Sequence, residues 1–185
     1  MGGVSMPIVP DDKDWTWVIE RRCPQCRFHA SAVPPASVAP SLRANASAWR
    51  AILRQPENVV RRRPAGDRWS PLEYACHVRD VCKLYHYRLE LMLGEDNPLY
   101  PNWDQDATAV EERYNEQDPS AVWIQLRDAA SRLADAFDGV RGDQWLRPGR
   151  RSDGARFTVT TFSRYFLHDP VHHLYDVTGR RDRWP

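Results

Sequence analysis

Lysine is almost missing from this chain. Only Lys13 and Lys83 occur, so nearly all of the 26 basic side chains are arginine, a skew that reads as GC-rich codon usage. Net charge is nearly missing too, at +1. A general nucleic-acid binder or a polybasic membrane-surface protein needs a large basic excess, so both are excluded. No apolar run approaches the roughly 20 residues of a membrane span. The opening Met1-Gly2-Gly3-Val4-Ser5-Met6 has neither the basic nor the apolar region of a signal peptide. It also lacks the Ser or Thr at position 6 that myristoylation requires. Four cysteines are too few for a disulfide framework. They are read as reduced and the protein as cytoplasmic, acting on a small molecule, with no nucleic-acid or membrane partner.

What is present is a chain of 185 residues, 42% of them apolar. That suits one core with an extension. Residues 1–39 carry Pro7, Pro10, Pro24, Pro34 and Pro35. Proline lacks an amide donor and fixes its backbone angle, so this stretch reads as an irregular N-terminal extension. It contains Cys23-Pro24-Gln25-Cys26 and three apolar anchors, Trp15, Trp17 and Phe28.

Residues 40–185 read as helices. The first covers about 41–55. The second opens on Ser70-Pro71-Leu72-Glu73, a capping box with proline at the first helical position, and stops at Gly94. Trp69 and Tyr74 stand at staple positions. The third starts at Asp118-Pro119 and ends at Gly139. Its apolar residues Val122, Leu126, Ala129, Ala130, Leu133 and Phe137 recur at the helical period. The fourth runs from about Thr160 to Gly179. The long 94–117 connection suits a crossover, and 150–158 a loop or short hairpin. The fold class expected is all-α, a four-helix bundle.

Five of the six histidines fall on the second and fourth helices: His77, His86, His168, His172 and His173. In the fourth, Phe162, Tyr165 and Phe166 set the core direction. At about 100° per residue, Asp169, His173 and Asp176 fall within roughly 40° of it. His168 lies roughly 100° away and His172 between. Burying Asp and His costs several kcal/mol unless they are paired or hold a metal. His77 from one helix with an i,i+4 pair from another makes three ligands and leaves a position open, the count of a catalytic site. Two plainer readings stand beside this one. The pair can be a polar network without metal, or the helix can start at Asp169-Pro170 and leave the histidines on the surface.

The segment Trp69-Ser70-Pro71-Leu72-Glu73-Tyr74-Ala75-Cys76-His77-Val78-Arg79-Asp80 resembles the helix-two motif of the DinB-like superfamily. Asp169-Pro170-Val171-His172-His173-Leu174-Tyr175-Asp176 is similar to its second ligand element. This family of metal-binding four-helix bundles includes mycothiol-dependent maleylpyruvate isomerase and related thiol S-transferases. The resemblance covers about 41–178, with Asp169 where His or Glu is more usual and Pro170 beside the site. It implies one divalent ion, zinc or nickel, held by His77, Asp169 and His173, with His168 and His172 as the fallback pair. Asp80 and Asp176 are then expected to orient the imidazoles. The implied activity is thiol-dependent transfer or isomerisation, with mycothiol or another low-molecular-weight thiol as cofactor. Metal-dependent hydrolysis and a non-catalytic ligand- or partner-binding bundle remain alternatives.

Three signals stay outside this scheme. Cys23 and Cys26 form a lone Cys-x-x-Cys: a structural metal, a redox pair, or plain thiols. His29 offers a third ligand and nothing obvious a fourth. Cys76 and Cys82 read as small core residues. Arg61-Arg62-Arg63 reads as a solvated loop or an anion site.

Overall fold

A computed structural model describes residues 14–181 together with Ile8. Pro7 and Pro10 of the extension therefore lie outside the described residues. From the N-terminal side, three short 3-10 turns lead into α1 (Val38–Leu53), α2 (Glu57–Val60) and α3 (Pro71–Gly94). Then come β1 (Leu99–Tyr100), α4 (Gln105–Glu111), α5 (Pro119–Gly139), β2 (Pro148–Arg151), β3 (Arg156–Thr158) and α6 (Val159–Thr178). The four long helices form the bundle: α5 packs on α1 and α3, and α6 closes the ring against the same two. No helix among the described residues is long and apolar enough to cross a membrane.

The helix starts follow from local chemistry. The Glu73 amide donates to Ser70 Oγ at 3.3 Å, and the Ser70 amide to Glu73 Oε2 at 2.8 Å. The capping box thus satisfies two amides that the first turn leaves free. Trp69 and Tyr74 meet edge-on at 5.6 Å. Asp118 caps α5 by accepting from the Ala121 amide at 2.7 Å. Gly179 ends α6 with φ +67°, a left-handed conformation natural to glycine.

Helix α6 runs through Pro170 without stopping, so it does not begin at Asp169-Pro170. Proline removes one helical amide. The Asn45 side-chain amide donates to the Pro170 carbonyl at 2.8 Å, and Trp49 Nε1 donates to Asn45 Oδ1 at 3.2 Å. A buried chain of donors therefore ties α1 to α6 beside the proline. Below it, Tyr85 stacks on Phe162 at 4.6 Å and Phe166 lies against Phe137 at 6.1 Å.

Three short strands accompany the helices, two of them in the stretch expected to form a loop or short hairpin. β2 and β3 form the short hairpin near 150–158, with Gly149 opposite Phe157. β1 pairs parallel to β2, Leu99 opposite Arg150, so the crossover is pinned to the hairpin. A Cβ at Gly149 would lie 2.7 Å from the Met92 side chain, which explains the glycine.

The arginine run is not a solvated loop throughout. Arg61 donates to the carbonyls of Asn115 and Gln117. Arg63 grips Glu73, which is only 2% exposed, with Nε 2.9 Å from Oε2. Removing one partner of a buried pair strands the other. Arg63→Ala is expected to destabilise the protein by about 3 kcal/mol, read as a lower denaturant midpoint at unchanged slope.

A candidate metal centre between α3 and α6

The capping box fixes the start of α3 and with it the direction of His77, which is fully buried. Helix α6 presents Asp169 and His173, one turn apart, toward it. His77 Nε2 lies 3.3 Å from Asp169 Oδ2, and His173 Nε2 lies 3.6 Å from the same oxygen. The two imidazoles meet edge-on at 4.8 Å. All three donor atoms fall within 4.8 Å of one another.

The electrostatics follow from burial and pairing. Burial holds the His77 imidazolium below its usual range, against the pull of Asp169. Burial opposes ionisation of Asp169, but His77 and His173 outweigh it and hold that carboxyl well below the usual range. At His173 burial is again outweighed, by Asp169 and Asp176, and the imidazole is raised to about 10. His77 Nδ1 and Asp169 Oδ1 are buried without a hydrogen-bond partner. A buried carboxylate oxygen without a donor is costly. Two imidazoles, one carboxylate and that orphaned oxygen fit a divalent cation.

The surroundings select what can approach. Trp103 stacks on His77 at 5.4 Å and 11°, and Trp69 covers it from another side at 5.0 Å. Sequence reading missed Trp103, because the crossover that carries it has no helical period. The site opens on a cavity of about 1220 Å³ that also includes Trp15, Trp17, Arg88 and Arg151. Arg88 is 3% exposed, and its Nε has no hydrogen-bond partner.

The other sequence-derived candidates divide. Asp176 sits at the centre, accepting from His173 Nδ1 at 3.1 Å. Asp80 does not orient His77. Its oxygens accept from Arg79, Lys83 and the Tyr114 hydroxyl, the last at 2.8 Å, which ties the crossover to α3. His168 and His172 do not turn toward His77 either. They are buried under the N-terminal extension, where Cys23 Sγ lies 3.6 Å from His172 Nδ1. The Cys26 thiol, aided by both imidazoles and against burial, holds the Cys23 thiol far below its usual range. His86 is paired loosely with Glu90 at 3.7 Å, and His29 with Ser31 at 3.0 Å.

The comparisons with known proteins agree with this architecture. The model of the DinB superfamily matches residues 41–177. No curated protein matches the chain. Among solved structures, YfiT from Bacillus subtilis is similar with a TM-score of 0.70 at 16% identity, covering 79% of this chain and 86% of that one. It is described as a probable metal-dependent hydrolase with an unusual four-helix bundle topology.

Proposed function

Since this chain belongs to the DinB superfamily, we propose that it is a metal-dependent enzyme acting on a small molecule, with the ion held by His77, Asp169 and His173. The convergence of these three donors on one point, with Asp169 Oδ1 orphaned, is the observation that supports it. A divalent ion in such a site acidifies a thiol or a water, making a nucleophile available near neutral pH.

The side chains supply the rest. Asp176 accepts a hydrogen bond from His173 Nδ1–H, which leaves Nε2 to face the other donors. Trp69 and Trp103 shield His77 from water. Arg88, whose buried Nε has no hydrogen-bond partner, gives the cavity a donor for an acceptor on the substrate, while Arg151 on the same lining is paired with Asp153 at 2.8 Å. The cavity of about 1220 Å³ has room for a thiol cofactor and a second reactant together. That supports thiol-dependent transfer or isomerisation, of the mycothiol type or with another small thiol. Hydrolysis is the second reading, favoured by the likeness to YfiT.

The test compares metal-stripped protein with protein reloaded with zinc or nickel. Each is scanned for thermal shifts with low-molecular-weight thiols, then for turnover of thiol plus electrophile and of activated esters. Thiol stabilisation and thiol-dependent turnover, both requiring metal, are the expected results. Ester cleavage without thiol would replace transfer by hydrolysis. Metal-independent behaviour in every assay would overturn the proposal.

A further inference from the structure

The extension and α6 build a second constellation apart from the first. Cys23, Cys26, His168 and His172 each offer a ligand atom, and all four lie within 4.8 Å of one another. They are nearly sealed from solvent, at 0%, 2%, 5% and 7% exposure. The spacing is Cys-x2-Cys followed by His-x3-His, the pattern of a structural Cys2His2 zinc site. It escapes a linear scan because Cys23 and His172 stand 149 positions apart.

The local geometry suits a cation. At zinc distances of about 2.3 Å to sulfur and 2.0–2.1 Å to nitrogen, a tetrahedral sulfur–nitrogen edge is about 3.6 Å. Cys23 Sγ and His172 Nδ1 are 3.6 Å apart. His168 Nε2 is buried without a hydrogen-bond partner. The Cys-x-x-Cys turn is closed by the Cys23 amide on the Phe28 carbonyl at 2.9 Å and the Arg27 amide on the Cys23 carbonyl at 3.0 Å. Arg27 takes φ +67°, an uncommon conformation outside glycine, to let the chain fold back. On the far side, His172 Nε2 faces Asp176 Oδ1 at 3.7 Å, the carboxylate–histidine arrangement that orients a ligand imidazole.

We propose that Cys23, Cys26, His168 and His172 bind a structural zinc ion, separate from the ion at His77, Asp169 and His173. The family match begins at residue 41, so both thiolate ligands lie outside it. With four protein ligands the ion keeps no vacant position for substrate, although His168 and His172 line the cavity of the first site. Its work is to clamp the extension onto α6. Trp15 lies against His168 at 5.6 Å and His172 at 5.2 Å and stacks on Trp17 at 5.7 Å. Both tryptophans line the cavity of the first site, so the clamp holds one of its walls.

The experiment measures metal per chain and the spectrum of cobalt-substituted protein, prepared with reductant. His77→Ala is expected to retain about one zinc per chain, while Cys26→Ser and His168→Ala lose that equivalent. Wild-type protein with cobalt should show thiolate-to-cobalt charge transfer and intense tetrahedral bands. Both should persist in His77→Ala. The sulfur bands report this site whether or not the other binds metal or turns over substrate. If Cys26→Ser does not fold, the wild-type cobalt spectrum decides alone. Absence of thiolate bands, isolation of a Cys23–Cys26 disulfide under reductant, or unchanged zinc in folded Cys26→Ser would each overturn the proposal.

Discussion

Asp169→Asn is expected to weaken metal binding at the α3–α6 site by about 100- to 4000-fold while leaving the helices in place. The substitution keeps the side chain's shape and removes its charge. Asp169 Oδ2 faces both His77 Nε2 and His173 Nε2, so the lost charge sits at the centre of the donor set. Deleting one member of a buried charged pair costs about 3–5 kcal/mol, and each 1.4 kcal/mol is tenfold in affinity. Competitive titration with a chromophoric chelator measures the change, and His86→Ala is the control away from the site. Affinity within a few-fold of wild type would show that Asp169 is not a ligand.

The same substitution has a pH signature in the metal-free protein. His173 is raised from 6.5 to about 10 when folded, facing His77, Tyr74, Asp169 and Asp176. A raised folded-state value means the folded protein binds the proton more tightly. That contribution to stability is complete below about pH 6.5 and is lost as pH rises toward about 10. Metal-free wild type should therefore lose stability across this window in denaturant titrations. Asp169→Asn, lacking the carboxylate that raises His173, should show a flatter profile.

Much of this arrangement is legible in the residues because it rests on short-range rules. Ser70-Pro71-Leu72-Glu73 announces α3, and the spacing from Val122 to Phe137 announces α5. The wheel of α6 picked Asp169, His173 and Asp176 because Phe162 and Phe166 mark the bundle core. The same wheel left His168 and His172 only as a fallback pair. It allowed one covered face, whereas α6 is covered twice, by α3 on one side and by Cys23, Cys26 and Phe28 on another. Helices α2 and α4 are too short to show a period. The β1–β2 pairing is set by a contact between residues about 50 positions apart, which no local pattern encodes. Asp80 turns its hydrogen bonds elsewhere for a related reason. Its partner Tyr114 comes from the crossover, whose path is a tertiary fact.

Asp176→Asn is expected to weaken both metal sites at once, by about 10- to 100-fold each. No other side chain described here reaches both. Its Oδ2 accepts from His173 Nδ1 at 3.1 Å, while its Oδ1 faces His172 Nε2 at 3.7 Å. Burial is the largest single influence and opposes its ionisation, but the hydrogen bond and charge of His173 together with nearby His172 and Arg68 outweigh it, so its carboxyl is held below the usual range. A charged acceptor fixes the tautomer of each imidazole and raises its basicity toward the ion. Asparagine fills the same volume but offers only one accepting atom and no charge, so one imidazole loses its acceptor and the other a charged one. The two sites are read separately in one cobalt-substituted sample, through the thiolate bands for the cysteine site and the remaining absorbance for the other. A variant that shifts only the His77 site would confine Asp176 to His173. A variant that shifts neither would reduce Asp176 to a helix-surface acid, and would leave adjacent His172 and His173 to serve their ions independently.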